Sequence, residues 1–234
     1  MSLLTIVQDI LGESGITTIS SVVDATDRRA PPLFALAKKS LVEVSHRYEW
    51  PHLTRSYTFS TVNGTADYSL PSDFDKLLTD TAYDDTENYQ LRGGVTPAQW
   101  QYINIYGGLA TGKRFRITGY PMKFRLTPTP TAANSLVFLY KTSNHALSAA
   151  SAEKTTYTDN TDTAIIGDRL IRLELAWRYR RQRGLDYAEE MADAERAIAK
   201  AFADSIAAPT IPIGYSSSLP AITDGYVPDR GYGA

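Results

Sequence analysis

The sequence contains no cysteine. That excludes a disulfide framework, a thiol nucleophile and cysteine-ligated zinc. Histidine is almost as scarce. The three are His46, His52 and His145, and none stands at a zinc-like spacing. No G-x-S-x-G elbow for a serine nucleophile occurs. No apolar run approaches the roughly 20 residues of a membrane span. The start, Met1 to Asp9, lacks the basic region of a secretory signal. The chain is therefore expected to be soluble, made inside the cell and without membrane contact. Neither charge dominates: 24 Lys and Arg stand against 26 Asp and Glu, a net charge of −2 over 234 residues. A protein that grips nucleic acid with its whole surface is more basic, although a local patch stays open.

What is present is enough for one well-packed domain, with 43% hydrophobic residues. Tyrosine is over-used, 15 against 7 Phe, and suits half-wet surfaces such as subunit contacts.

The chain reads in four parts. Leu3, Ile6, Val7, Ile10 and Leu11 recur at helical spacing, and Gly12 and Gly15 should end that helix. Asp24 to Asp27 offers cap residues and Pro31-Pro32 a second start. Leu33, Leu36, Ala37, Leu41, Val44 and Tyr48 form the next stripe, which Trp50-Pro51 stops. From Leu53 to Thr142 the pattern is mostly strands. Asn63-Gly64 predicts a hairpin after Tyr57, Phe59 and Thr61. Phe115 and Ile117, turned at Gly119-Tyr120-Pro121, return as Phe124 and Leu126, and residues 136–140 read as a buried strand. One helix interrupts, capped by Thr96, with Pro97 first and Trp100, Ile103 and Tyr106 following. Residues 163–208 read as a helical hairpin broken at Gly184. Its first helix carries Ile165, Ile166, Leu170, Leu173 and Trp177, and its second Tyr187, Met191, Ala194, Ile198 and Phe202. Pro209 to Ala234 has no period and holds four Pro and four Gly, which predicts an extended tail.

The expected fold is α+β. N- and C-terminal helices pack as a bundle beside a central antiparallel β-sandwich or barrel, with an extended C-terminal tail. The domain would span 1–208, helical over 1–50 and 163–208, β-rich over 51–142, with a loop at 143–162. The tail would be 209–234.

Chemistry-bearing motifs fail one by one. Gly107 to Arg114 nearly spells a phosphate loop, but Arg114 stands where a hydroxyl must hold magnesium, and a strand follows where a helix should. Asp159-Asn160-Thr161-Asp162 lacks the glycine and distal glutamate of a calcium loop and is expected to turn and cap the next helix. Asn63-Gly64-Thr65 matches a glycosylation acceptor only formally. Asp84-Asp85 and Glu189-Glu190 could in principle do acid–base work, but Glu189 and Glu190, adjacent on a helix, point apart and read as a solvated face. No enzyme activity, cofactor, catalytic residue or metal ligand is expected.

Charge partition says more. Gly167 to Gly184 carries six Arg and two acids; Leu185 to Ala208 carries six acids and two bases. Two readings stand. In one, an antiparallel hairpin neutralises itself and the Arg cluster suits a helix C-terminus. In the other, Arg178, Arg180, Arg181 and Arg183 of one subunit meet Glu189, Glu190 and Asp193 of the next, and such heterologous contacts close into rings. The tail is unusual too. Ile211, Ile213, Tyr215, Leu219, Ile222, Tyr226, Val227 and Tyr232 are spaced anchors, as in a segment that orders while wrapping a partner.

Several segments, taken in order, resemble the bacteriophage head-to-tail adaptor family. They are Leu36-Ala37, Glu43-Val44 and Arg47 to Trp50; Tyr68 to Leu77; Leu91-Arg92-Gly93; Pro97 to Trp100; Phe115-Arg116-Ile117 with Pro128 and Pro130; and Asp162 to Ala164, Leu173-Glu174, Trp177-Arg178 and Gly184 to Glu189. The resemblance covers roughly residues 3 to 205. It implies a structural virion protein of the neck, present in the host cytoplasm during assembly. It implies a dodecameric ring docked on the portal protein, which extends the DNA channel, helps retain the genome and carries the next tail or nozzle protein. Double-stranded DNA would pass through without sequence recognition. The C-terminal extension would reach along the portal, and the β part would face the tail. A neck or tail-completion ring protein without portal contact, or a glycan-binding tail component, are the alternatives.

Overall fold

The computed structural model describes residues 1–93, 96–105 and 112–206. In chain order the elements begin with α1 (Leu3–Glu13), α2 (Ala30–Arg47), a 3-10 turn (Pro51–Leu53), β1 (Thr54–Ser60), β2 (Asp67–Ser69), β3 (Phe74–Leu77), β4 (Tyr83–Asp84), β5 (Tyr89–Gln90) and α3 (Pro97–Ile105). They continue with β6 (Arg114–Thr118), β7 (Lys123–Thr127), β8 (Ser135–Thr142), β9 (Ala146–Leu147), β10 (Glu153–Lys154), β11 (Thr163–Ala164), α4 (Asp168–Gln182) and α5 (Ala188–Ser205). The chain is thus α+β. It divides into two compact units, one from residues 1–54 and 142–206, the other from residues 55–141.

The first unit is mainly helical. The stripe of α1 buries Leu3, Ile6, Val7, Ile10 and Leu11, and that of α2 buries Leu33, Ala37, Leu41 and Val44. Leu170, Ile171, Leu175 and Tyr179 of α4 and Ile198 of α5 complete the same core. Trp50 is buried at the end of α2 and donates its indole N–H to the Val44 carbonyl at 2.9 Å. Tyr48 stacks on Phe202 of α5 at 4.4 Å, and Trp50 meets the same ring edge-on at 5.6 Å. The chain's second half is thereby fastened to its first through aromatic rings.

Gly15 does what its position in the sequence predicts. At φ +66° it lets the Ile16 N–H reach the Leu11 carbonyl and its own N–H reach the Gly12 carbonyl. This is a Schellman closure. Gly12 itself lies inside the last turn of α1 rather than beyond it.

Three expectations in this unit need correction. The N-cap of α2 is Arg29, without a side-chain cap bond; Asp27 instead accepts the Arg29 N–H and guanidinium. The helix predicted from Thr163 starts at Asp168. Thr163-Ala164 is a strand paired with β9 instead, so Ile165 and Ile166 are core residues of a connection, not of a helix. Asp162 does not cap α4. Its buried carboxylate accepts the N–H groups of Thr158 and Asp159 at 2.7 and 2.9 Å and the Lys154 ammonium at 3.0 Å. Next to it, the Asn160 side chain accepts the N–H groups of Val22 and Val23, tying this turn to the α1–α2 connection.

Asp162 gives a pH dependence. Burial opposes its ionisation, but the two backbone donors and Lys154 outweigh burial and hold its carboxyl below the ordinary range. A depressed folded-state pKa adds stability above the unfolded value of about 3.9, and this is lost as pH falls through the folded pKa. The urea midpoint should be level from about pH 7 to about pH 5 and drop below about pH 4, and Asp162→Asn should flatten part of that drop.

The second unit holds two sheets. One has the order β1-β8-β4-β5, with β3 also on β8; the other is β2-β7-β6. The β4–β5, β4–β8, β2–β7 and β6–β7 pairs are antiparallel, and among the described residues the sheets do not close into a barrel. Phe124 of β7 stacks on Phe138 of β8 at 5.3 Å and on Phe115 of β6 at 4.7 Å, so both sheets share one aromatic core. The Asn63-Gly64 hairpin is not formed. Gly64 turns at φ +78°, but β1 and β2 go to different sheets. Long-range pairing of β1 with β8 overrides the local turn signal. The β6–β7 hairpin forms as predicted, with Ile117 facing Phe124 and Phe115 facing Leu126. Thr96 caps α3 through the Gln99 N–H while the Gln99 side chain accepts the Thr96 N–H, a reciprocal capping box. Tyr106 lies outside the described residues.

Gly93 lies flat on the Phe115 ring. A methyl group added there would stand 2.1 Å from Phe115 Cζ. Gly93→Ala must displace a core ring, and a loss of about 1–3 kcal/mol is expected in urea unfolding.

Candidate assembly interface

The candidate residues cluster where α4 hands over to α5. Arg180, Arg181 and Arg183 occupy the last turn and cap of α4, where cations meet the negative end of the helix dipole. Gly184, at φ +71°, closes the helix: its N–H bonds the Arg181 carbonyl, and the Leu185 N–H bonds the Arg180 carbonyl at 3.0 Å. The chain then reverses, and α5 starts with Glu189 and Glu190 in its first turn.

The side chains sort themselves by partner. Arg178 turns onto Glu174 of its own helix, with Nε at 3.0 Å and the terminal nitrogen at 2.7 Å from Oε1. Arg180 pairs with Glu190 across the two helices at 2.6 Å. Arg183 donates to the Tyr179 hydroxyl at 3.1 Å. Asp193 pairs with Arg196 one turn along α5. Of these four contacts, the Arg180–Glu190 pair joins α4 to α5, and the other three stay within one helix and its cap. Arg181 and Glu189 are exposed on the surface of α4 and α5.

Glu174 was not singled out by its charge, yet it is the most enclosed ionic group of this region. It is 0% exposed and also faces Arg47 of α2 at 3.5 Å. A sequence signal existed. Glu174 and Arg178 stand at i,i+4 in the favourable order, and Glu174 falls among Leu170, Ile171, Leu175 and Trp177 on the apolar stripe. The anchors Ile211, Ile213, Tyr215, Leu219, Ile222, Tyr226, Val227 and Tyr232 lie outside the described residues.

Lys113, from the failed phosphate-loop motif, reaches Asp84 at 2.6 Å and Glu87 at 3.0 Å. Asn134 also donates to Asp84, at 2.9 Å. Burial raises the Asp84 carboxyl, but these donors and the Glu87 N–H hold it below the usual range. Asp84 is thus a buried structural anion, not a poised acid. Arg114 opens a strand, as expected, and Gly107 to Thr111 lie outside the described residues. No helix among the described residues is long and apolar enough to cross a membrane.

Comparison with known families identifies the class: a structural component that joins the head of a bacteriophage to its tail. The chain belongs to the SU10 adaptor protein family, whose model matches residues 1–218. This is a family of structural phage proteins, not generally of enzymes. No curated protein matches the chain.

Proposed function

We propose that the protein docks as a ring of about twelve copies on the portal protein of a filled capsid, closed by heterologous contacts between copies. The ring extends the channel for double-stranded DNA, helps retain the genome and offers a platform to the next tail or nozzle protein. It belongs in the virion neck and passes through the host cytoplasm during assembly. The helical unit acts as a bundle and the β unit as a sandwich. Ile211, Ile213, Tyr215, Leu219, Ile222, Tyr226 and Tyr232 are the portal anchors of a tail that orders on docking. One observation carries this reading: the adaptor match spans both units and runs past Pro209 to residue 218.

Arg181, Arg183, Glu189 and Asp193 are exposed inter-subunit candidates, and of these Arg183 and Asp193 already bond close by, to Tyr179 and Arg196. If Arg181 of one copy meets Glu189 of the next, Arg181→Glu and Glu189→Lys should each weaken ring assembly. The double exchange should restore it. One rim pair is worth only about 0.2–1 kcal/mol, but the loss repeats at every contact in the ring.

The deciding experiment is native mass spectrometry with the portal protein of the same genome, full-length chain beside one ending at Ala208. Addition of about twelve full-length copies, with few or none of the truncated chain, supports the proposal. Absence of binding by either form overturns portal docking in favour of a neck protein without that contact. Equal binding overturns the role of the tail.

A further inference from the structure

From Arg92 to Arg125 the sequence holds six cations and no carboxylate, in a chain whose net charge is −2. The fold gathers most of them. Phe115, Ile117, Phe124 and Leu126 turn the β6–β7 hairpin to the core. The alternate positions Arg114, Arg116, Thr118, Lys123, Arg125 and Thr127 therefore share the opposite face. Arg116 stands directly across from Arg125, and Thr118 across from Lys123. Exposed Arg92 bridges to Arg114 at the sheet edge. Among the described residues one carboxylate answers this group: Asp67 of β2 holds Arg125 through two 2.6 Å bonds. Lys113, the sixth cation, is turned away to Asp84 and Glu87.

Like charges facing each other across a strand pair destabilise a sheet. Asp67 offsets one of the two opposed guanidinium groups, and the face as a whole keeps a net positive charge. We propose that this face of the β6–β7 hairpin binds the phosphate backbone of double-stranded DNA. A two-residue step along a strand covers about 6.7 Å, close to the axial rise of two phosphates on one DNA strand. The hydroxyl of Thr118 and the cations beside it are phosphate donors, and such contacts position a duplex without reading bases. At the turn, Tyr120 and Met122 are 102% and 50% exposed. At the other end Thr127 bonds Asn104 of α3 at 3.3 Å, so the open part of the face lies toward the turn. The assignment deepens the neck reading and rests on it only for the presence of DNA.

The test is fluorescence anisotropy of the full chain with a labelled 30-base-pair duplex of arbitrary sequence, between 25 and 200 mM NaCl, without portal protein. Three to four phosphate contacts give a log–log salt slope of about −3 to −4. Arg116→Ala with Lys123→Ala should weaken binding at least about tenfold at low salt and make the slope shallower by about 2. Arg116→Gln with Lys123→Gln, which keeps more of each side chain, should do the same. Lys39→Ala with Arg169→Ala, exposed in the helical unit, should change neither. The proposal is overturned if the folded Arg116/Lys123 variants match the parent. Competition by poly-L-glutamate as strong as that of DNA per charge also overturns it, and points to an acidic protein surface. Because no portal is present, a negative result leaves portal docking standing, and failure of docking leaves this result standing.

Discussion

Replacing Trp50 by Ala should destabilise the helical unit by about 3–5 kcal/mol, the range for emptying a large aromatic site. Three losses coincide. The indole is 2% exposed, so nearly its whole surface is removed from a packed core. The Val44 carbonyl loses its donor at the end of α2. Phe202 loses its edge-on partner and keeps its stack on Tyr48. Trp50→Phe preserves the ring contact but not the N–H, and should cost less, about 1–3 kcal/mol, much of it from the unsatisfied carbonyl. Urea unfolding followed by circular dichroism measures both. A Trp50→Ala loss below about 1 kcal/mol would mean that the aromatic cluster does not hold α5 to the rest of the unit.

Glu174→Ala should be of similar size, about 3–5 kcal/mol, because it leaves Arg178 with an uncompensated charge in a largely enclosed site. The sign of the double variant is the sharper result. Glu174→Leu with Arg178→Leu removes both charges and fills the space with apolar groups. It should recover most of the loss and can match the parent, since a buried pair often contributes little net stability. Arg47, the second cation near Glu174 and more exposed, limits the recovery less than Arg178 would. A cycle with additive losses would show that Glu174 and Arg178 do not act as a pair.

Much of the fold was legible where one apolar period runs unbroken. The α1, α2 and α5 stripes were read with their faces correct, because helical packing repeats a local pattern. The β6–β7 hairpin was legible for the same reason at period 2. Misreadings fell where distant contacts decide. Ile165 and Ile166 fit a helical face by spacing, but β9 captures the residues just before them. Asn63-Gly64 carries a strong hairpin signal, yet β8, more than seventy residues away, claims β1. The candidate interface was half legible. The charge partition between α4 and α5 was visible, and the Arg180–Glu190 pair realises it. That Arg178 would turn inward could not be read from charge counts, since it depends on which side of α4 the core covers.

The division of the chain has a consequence for synthesis. Among the described residues the β unit is one uninterrupted stretch, residues 55–141, and in sequence it falls between the two segments of the helical unit. On the ribosome the β unit is complete while α1 and α2 still lack α4 and α5, the partners that cover Leu41, Val44 and Trp50. Their apolar stripes therefore wait through the translation of roughly a hundred residues, several seconds or more at ordinary elongation rates. Chains translated side by side from one message would meet with the helical half unfinished. Synonymous codon changes that slow passage through residues 142–206 should shift yield toward aggregate while leaving the finished protein unaltered.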